Sequence, residues 1–341
     1  MHIYSWEGYN QKKFLKDLPL KVISNNFISD YTIANEIKKK YIKCDIININ
    51  NAYIRDYLWK FNLIEELNYE KYSSIYSTYL KNFLHLSKWT KSHDKKKIIG
   101  VGQRFGNLNY VINSNSIEPR TAEIEGYNLI NNKGAKFGIL LFEDFNIMQI
   151  SLSCGINPFK SIDQKKILRF KKNCHLWFDK ATFISDNYFL LNKLLNKKKI
   201  DFYLTGGTFT CSVARKEDYK NIISIVPKNK INSLKQGIIF TEVTSILKNK
   251  IYSNYELFLD YILSNEKCYE IAMSKYTCNP VLQMGNNKVF NLFSRNDLDI
   301  IQWNTLNNSH LYSHEYQIIP NYKKLLTIFR SILSLYSQKF I

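Results

Sequence analysis

Residues 98–113 read IIGVGQRFGNLNYVIN. Two apolar, strand-forming segments, Ile98–Val101 and Tyr110–Ile112, flank a stretch in which Gly100, Gly102 and Gly106 stand close to Arg104. Strand formers on both sides of a glycine-rich run describe a chain that leaves one open α/β sheet and enters another. A second strand-rich passage, QGIIFTEVTSIL at 236–247, reads as the return. Two such crossings predict two discontinuous lobes, 1–103 with 242–284 and 104–241 with 285–341, and a ligand cleft between them. In open α/β sheets ligands gather at the carboxyl ends of strands, which singles out the turn after the first strand.

The rest of the chain alternates strand and helix patterns, as an α/β fold requires. Strands are expected at His2–Ser5, Leu20–Ile23, Asp45–Ile49, Lys136–Phe142, Asp201–Leu204, Ile222–Val226 and Gly237–Glu242. Helical spacing marks Gln11–Asp17, Tyr31–Tyr41, Ala52–Lys60, Asp144–Cys154, Asp163–Phe178, Asp186–Lys197, Tyr255–Leu263 and Tyr322–Tyr336. No repeat of fixed period and no apolar run of about 18 residues interrupts this pattern.

The 341 residues, 45% hydrophobic, suffice for about two cores. The net charge of +19 comes almost wholly from Lys, while nucleic-acid readers favour the forked guanidinium of Arg. Runs such as EIKKKYIK and NKKKI are scattered between apolar segments, so the charge reads as a solvated surface and no nucleic-acid partner is expected. The six cysteines contain no C-x-x-C spacing; Cys268 and Cys278 are a candidate pair in an oxidising compartment. His310 and His314 lie four apart beside Glu315, but no third ligand accompanies them and no metal is expected. Neither a phosphate loop, a dinucleotide fingerprint nor a nucleophile elbow occurs, so an enzyme is not expected and no cofactor is implied.

The chain begins HIYSWEGY at 2–9, a strand running into a turn with Trp6, Gly8 and Tyr9. This stretch resembles the first strand and Trp-x-x-Tyr turn of the periplasmic solute-binding proteins of polyamine (spermidine/putrescine) ABC importers. CDIININNAYIRDYLWKFNLIEELN at 44–68, VGQRFGNLNYVIN at 101–113, FGILLFEDFNIMQISLSCGINP at 137–158, FYLTGGTFTCSVAR at 202–215, IVPKNKINSLKQGIIFTEVTSIL at 225–247 and AMSKYTCNP at 272–280 resemble that family's later segments, in order. The resemblance implies a two-lobed, type II periplasmic-binding-protein-like α/β fold, with two mixed open sheets flanked by helices and joined by two crossover hinge strands. It also implies an extracytoplasmic, periplasmic or lipid-anchored, monomeric protein that delivers a polyamine to a membrane permease; residues 1–10 hold no signal sequence, so this expectation assumes a leader missing from this chain, the alternative being a cytoplasmic protein.

Polyamines need separated carboxylates and an aromatic wall. The resemblance assigns the wall to Trp6, Tyr9, Tyr53, Phe105, Phe240 and Tyr276, and the carboxylates to Asp144 and Glu242. Glu7 is a further candidate acid, and Asn50, Asn51 and Asn304 are candidate amine acceptors. Competing readings are core packing for the aromatics and helix capping for Asp144. Two positions depart from the family: Ile147 stands where a second acid is common, and Thr205, beside Gly206 and Gly207, where Trp is common. These departures leave open a changed specificity for an amino-acid-derived or anionic ligand. Arg104 at the crossover, next to Gly106, is expected either to pair with Glu242 or Asp144, or to meet a ligand carboxylate.

Overall fold

The computed structural model describes residues 1–341 apart from 10–13, 28, 249–253 and 307. Two compact units emerge, Met1–Gly106 with Phe240–Trp303 and Asn107–Ile239 with Asn304–Ile341. Residues 285–303, expected in the second lobe, therefore cluster with the first.

In the first unit, β1 (His2–Ser5) lies between β2 (Ile23–Asn26) and β3 (Ile46–Asn50), all parallel. All five residues of β3 are buried, the signature of a strand covered on both faces. Crossover strand β4 (Val101–Asn113) leaves this unit at Gly106. In the second unit β5 (Phe137–Leu140) pairs in parallel with β6 (Phe183–Ser185) and β7 (Phe202–Gly207). The Asn107–Asn113 part of β4 runs antiparallel to β7 and to β8 (Ile222–Ile225). A hairpin of β9 (Lys230–Ile231) and β10 (Leu234–Lys235) precedes β11 (Gly237–Ile246), whose first residues pair in parallel with β12 (Ser313–Glu315). From Glu242 to Ile246 β11 pairs antiparallel with β3, back in the first unit.

Helices pack on these sheets through one apolar face each. The helix Tyr188–Asn196 buries Leu191 and Leu195 against Val111, Leu140, Ile200 and Tyr203 of the second unit. In the first, Phe258, Leu259 and Ile262 form the buried face of the helix Tyr255–Leu263.

Several elements differ from expectation. The segments Ile98–Val101 and Tyr110–Ile112 do not form two strands: β4 runs unbroken from Val101 to Asn113 and is fully buried along its length. The second strand lies three residues later than Leu20–Ile23, since Ile23–Asn26 is the stretch that pairs with β1. Ala52–Lys60 opens with one α-turn, Asn51–Tyr53, and continues as a π-helical segment, Ile54–Trp59. The expected helix Gln11–Asp17 falls partly outside the described residues, and its remainder is turn. Cys268 and Cys278 form no disulfide: both are buried thiols, each directed at a backbone carbonyl, Ile262 O and Ser274 O. His310 belongs to a 3-10 turn and His314 to β12, so the two do not share a helical face. Among the described residues no helix is long and apolar enough to cross a membrane.

Candidate ligand-binding residues of the two units

Some candidates in each unit lie at or beyond the carboxyl ends of parallel strands. Trp6 follows β1, and Asn50 ends β3. The indole Nε1 of Trp6 donates to Asp30 Oδ1 at 3.0 Å, and Asn50 Nδ2 donates to the other oxygen, Oδ2, at 2.7 Å. Asp30 is fully buried at the first residue of the helix Asp30–Lys38, where the helix dipole favours its charge. Ser29 caps that helix by accepting from Thr32 N at 3.3 Å. Trp6 packs its ring 4.8 Å from that of Phe27. One buried carboxylate thus fixes both an aromatic and an amide of the proposed site. Sequence reading missed Asp30, because a Ser-Asp pair before a helical pattern reads as capping alone.

At the crossover, Arg104 pairs with Glu242. Its Nε donates to Glu242 Oε2 and its Nη2 to Oε1, both at 2.9 Å. Nη1 donates to Thr277 Oγ1 at 3.0 Å, and Nη2 to the carbonyl of Glu7. The guanidinium carbon lies 5.2 Å from the Tyr9 ring centroid. Burial works to lower the Arg104 pKa, but the charge of Glu242 and its other partners outweigh it and the group is held above its usual value. Burial conversely raises the pKa of Glu242 against the pull of Arg104. Gly8 makes the arrangement possible: its φ is +121°, and a Cβ there would stand 2.6 Å from Arg104 Nη1.

The other first-unit candidates divide by exposure. Phe105 is fully buried with its ring 4.5 Å from that of Phe83, and Phe240 is 5% exposed close to Gly106. Tyr9 and Tyr53 are buried too. Glu7 and Trp6 are half-buried, and Tyr276 is exposed with Lys275 Nζ 4.8 Å from its ring centroid. Asn51 Oδ1 accepts from Thr241 N at 3.1 Å, which ties the loop after β3 to β11.

In the second unit Asp144 is 7% exposed in the first turn of the helix Glu143–Ser153. It is not the cap: Phe142 occupies that position without a side-chain cap bond. Tyr322, which sequence reading did not single out, donates its hydroxyl to Asp144 Oδ1. The neighbouring Glu143 takes both Nε and Nη2 of Arg330 at 2.6 Å. Ile147 is fully buried in the core.

Thr205 sits at a bulge, where the register of β4 against β7 jumps from Asn109–Gly206 to Tyr110–Leu204. Its φ of +69° is costly for a β-branched residue. Hydrogen bonds hold it there: Asn146 Nδ2 donates to Thr205 Oγ1 at 2.7 Å, and Thr205 N donates to Gln149 Oε1 at 3.1 Å. Asn304 is exposed in the short helix Trp303–Leu306. Among the described residues no group of three or more His, Cys, Asp or Glu side chains could hold a metal ion.

No protein-family profile and no curated protein matches the chain. Solved structures do. The spermidine/putrescine ABC transporter substrate-binding protein of Streptococcus pneumoniae, in complex with calcium and HEPES, aligns at TM-score 0.67 and 15% identity over 97% of this chain and 98% of that one. A provisionally assigned spermidine/putrescine ABC transporter protein of Listeria monocytogenes aligns at TM-score 0.71 and 15% identity, with 98% of each chain covered. The binding protein MotA of A. tumefaciens, in complex with glucopine, aligns at TM-score 0.64 and 12% identity over 97% of this chain and 99% of that one. The chain therefore has the periplasmic-binding-protein-like fold of ABC transporter substrate-binding proteins. Neighbours with that fold include proteins for polyamines and for amino-acid-derived ligands.

Proposed function

We propose that this chain is the extracytoplasmic solute-binding protein of an ABC importer, and that it binds a small organic amine of the polyamine class and passes it to a membrane permease. The observation that carries the reading is positional. Over a fold shared with substrate-binding proteins along 97% of the chain, Trp6, Asn50 and Asp144 stand at or beyond the carboxyl ends of β1, β3 and β5. In this reading Trp6 offers its half-buried ring to methylene and ammonium groups, while Asp144 supplies the carboxylate. Tyr53 and Tyr276 add aromatic surface.

A thermal-shift panel tests the proposal, with putrescine, cadaverine, spermidine, spermine, N-acetylputrescine, amino acids and organic anions as ligands. Saturable stabilisation by an amine is the expected result, since a ligand bound only to the folded state raises the melting temperature. Stabilisation by carboxylates with none by amines would replace the proposal with the anionic-ligand reading.

A further inference from the structure

The first unit holds a cavity of about 380 Å³ that none of the residues assigned to the amine site lines. Separate stretches of chain build it. The short helical turns Tyr69–Tyr72 and Ser73–Thr78 contribute Lys71 and Ile75, the helix Tyr255–Leu263 contributes Asp260 and Leu263, and the turns Leu282–Gly285 and Asn287–Phe290 contribute Gln283 and Val289. Its charges already answer one another: Lys71 Nζ donates to Asp260 Oδ2 at 2.8 Å and to Glu256 Oε2 at 3.0 Å. Ile75, Leu263 and Val289 supply apolar wall. Gln283 stands apart from both groups. Only 3% of it is exposed, and its Nε2 donates to Gly102 O at 2.8 Å, which fixes the orientation of the amide because a flip would set oxygen against oxygen. Its Oε1 is therefore an acceptor, buried and without a hydrogen-bond partner among the described residues.

We infer that this cavity is a second binding site, for a small neutral molecule with an apolar body and one hydroxyl or amide N–H that donates to Gln283 Oε1. The inference is independent of the amine reading above. A concavity of about 300 Å³ or more, walled by apolar side chains with a few placed polar groups, is the usual form of a small-molecule site. A buried carbonyl oxygen left unpaired costs stability, and a ligand donor removes that cost on binding. A charged donor is disfavoured, because Asp260 is committed to Lys71 and an ammonium buried against the neutral amide of Gln283 would go uncompensated. Such a site rejects an analogue that lacks the donor, since the acceptor then stays unpaired.

Phenol and toluene are the probes, since they share a ring and differ in the one donor. In titration calorimetry of the whole chain phenol is expected to bind at least about fivefold tighter than toluene, the effect of one net hydrogen bond. Leu263→Trp, which fills the cavity, is expected to abolish phenol binding and to leave the response to putrescine as in the wild type. Crystals soaked in phenol are expected to place its hydroxyl within hydrogen-bond distance of Gln283 Oε1. An ordered water alone at that oxygen in the soaked crystal, no binding of phenol, toluene binding as tightly as phenol, or phenol binding untouched by the filled cavity would each overturn the inference. The comparison of phenol with toluene uses the wild type, so it decides the matter should Leu263→Trp fail to fold.

Discussion

Arg104 and Glu242 meet as a two-point ion pair, Nε to Oε2 and Nη2 to Oε1, with only 2% and 4% of the two residues exposed. The pair joins β4 to β11, and Nη1 and Nη2 extend it to Thr277 and to the turn after β1. Two buried charges are tolerated here because they neutralise each other and the hydroxyl and carbonyl groups satisfy the remaining donors.

Removing one partner strands the other. Glu242→Gln is expected to destabilise the protein by about 3–5 kcal/mol, the usual cost of an uncompensated buried charge. Replacing both residues by Met and Leu is expected to cost less than the single change. Urea unfolding of the three proteins checks this, and a Glu242→Gln variant as stable as the wild type would contradict it.

Asp30 anchors Trp6 and Asn50 together. Asp30→Asn trades a charged acceptor for a neutral one, and hydrogen bonds to charged groups contribute about 1.5–3 kcal/mol each. Lower stability and roughly tenfold weaker ligand binding are expected, with Trp6→Phe weakening binding while sparing most of the stability. Unfolding curves and titration calorimetry separate the two effects.

Thr205 is held in a strained backbone conformation by its own hydroxyl. Thr205→Ala keeps most of the strain and loses the bond from Asn146, whereas Thr205→Gly loses the same bond and relieves the strain. The glycine variant is expected to be more stable than the alanine variant by about 1 kcal/mol. Equal stabilities would show that the positive φ costs nothing here.

Burial and the nearby charge of Lys235 lower the pKa of His314 below its ordinary 6.5. The unfolded chain therefore binds this proton more readily than the fold does, and stability tied to the neutral imidazole is present above pH 6.5 and lost as pH falls from there through the lower folded pKa. His314→Gln is expected to flatten the stability profile in that window. The measurement is the unfolding free energy at a series of pH values from about 7 to 5.

Local patterns in the sequence located most strands and helices, because alternation and helical spacing directly record which faces are buried. The strand His2–Ser5 and the helix Tyr255–Leu263 are found at the expected residues. The break expected within 98–113 does not occur, for a specific reason. A Cβ at Gly106, inside the expected break, would lie 2.8 Å from Asn279 Oδ1 and 3.2 Å from Phe240 Cζ, so that glycine marks a close approach to the strand and not a turn. The short strands β6 and β12 carry too few residues to show a period. At the site, Glu242 was one of the partners expected for Arg104 and is the one found, whereas the partner of Asp144, Tyr322, lies 178 positions away and was not legible. Such pairings arise from tertiary packing, which no local spacing encodes.

The most direct test of amine binding is titration calorimetry of the purified chain with N-acetylputrescine and putrescine, beside Asp144→Asn. Saturable binding of an amine by the wild type is predicted, at least about tenfold weaker in Asp144→Asn as expected for losing a charge-assisted contact. Amine binding untouched by Asp144→Asn, or no amine binding alongside tight binding of a carboxylate, would contradict the proposed function.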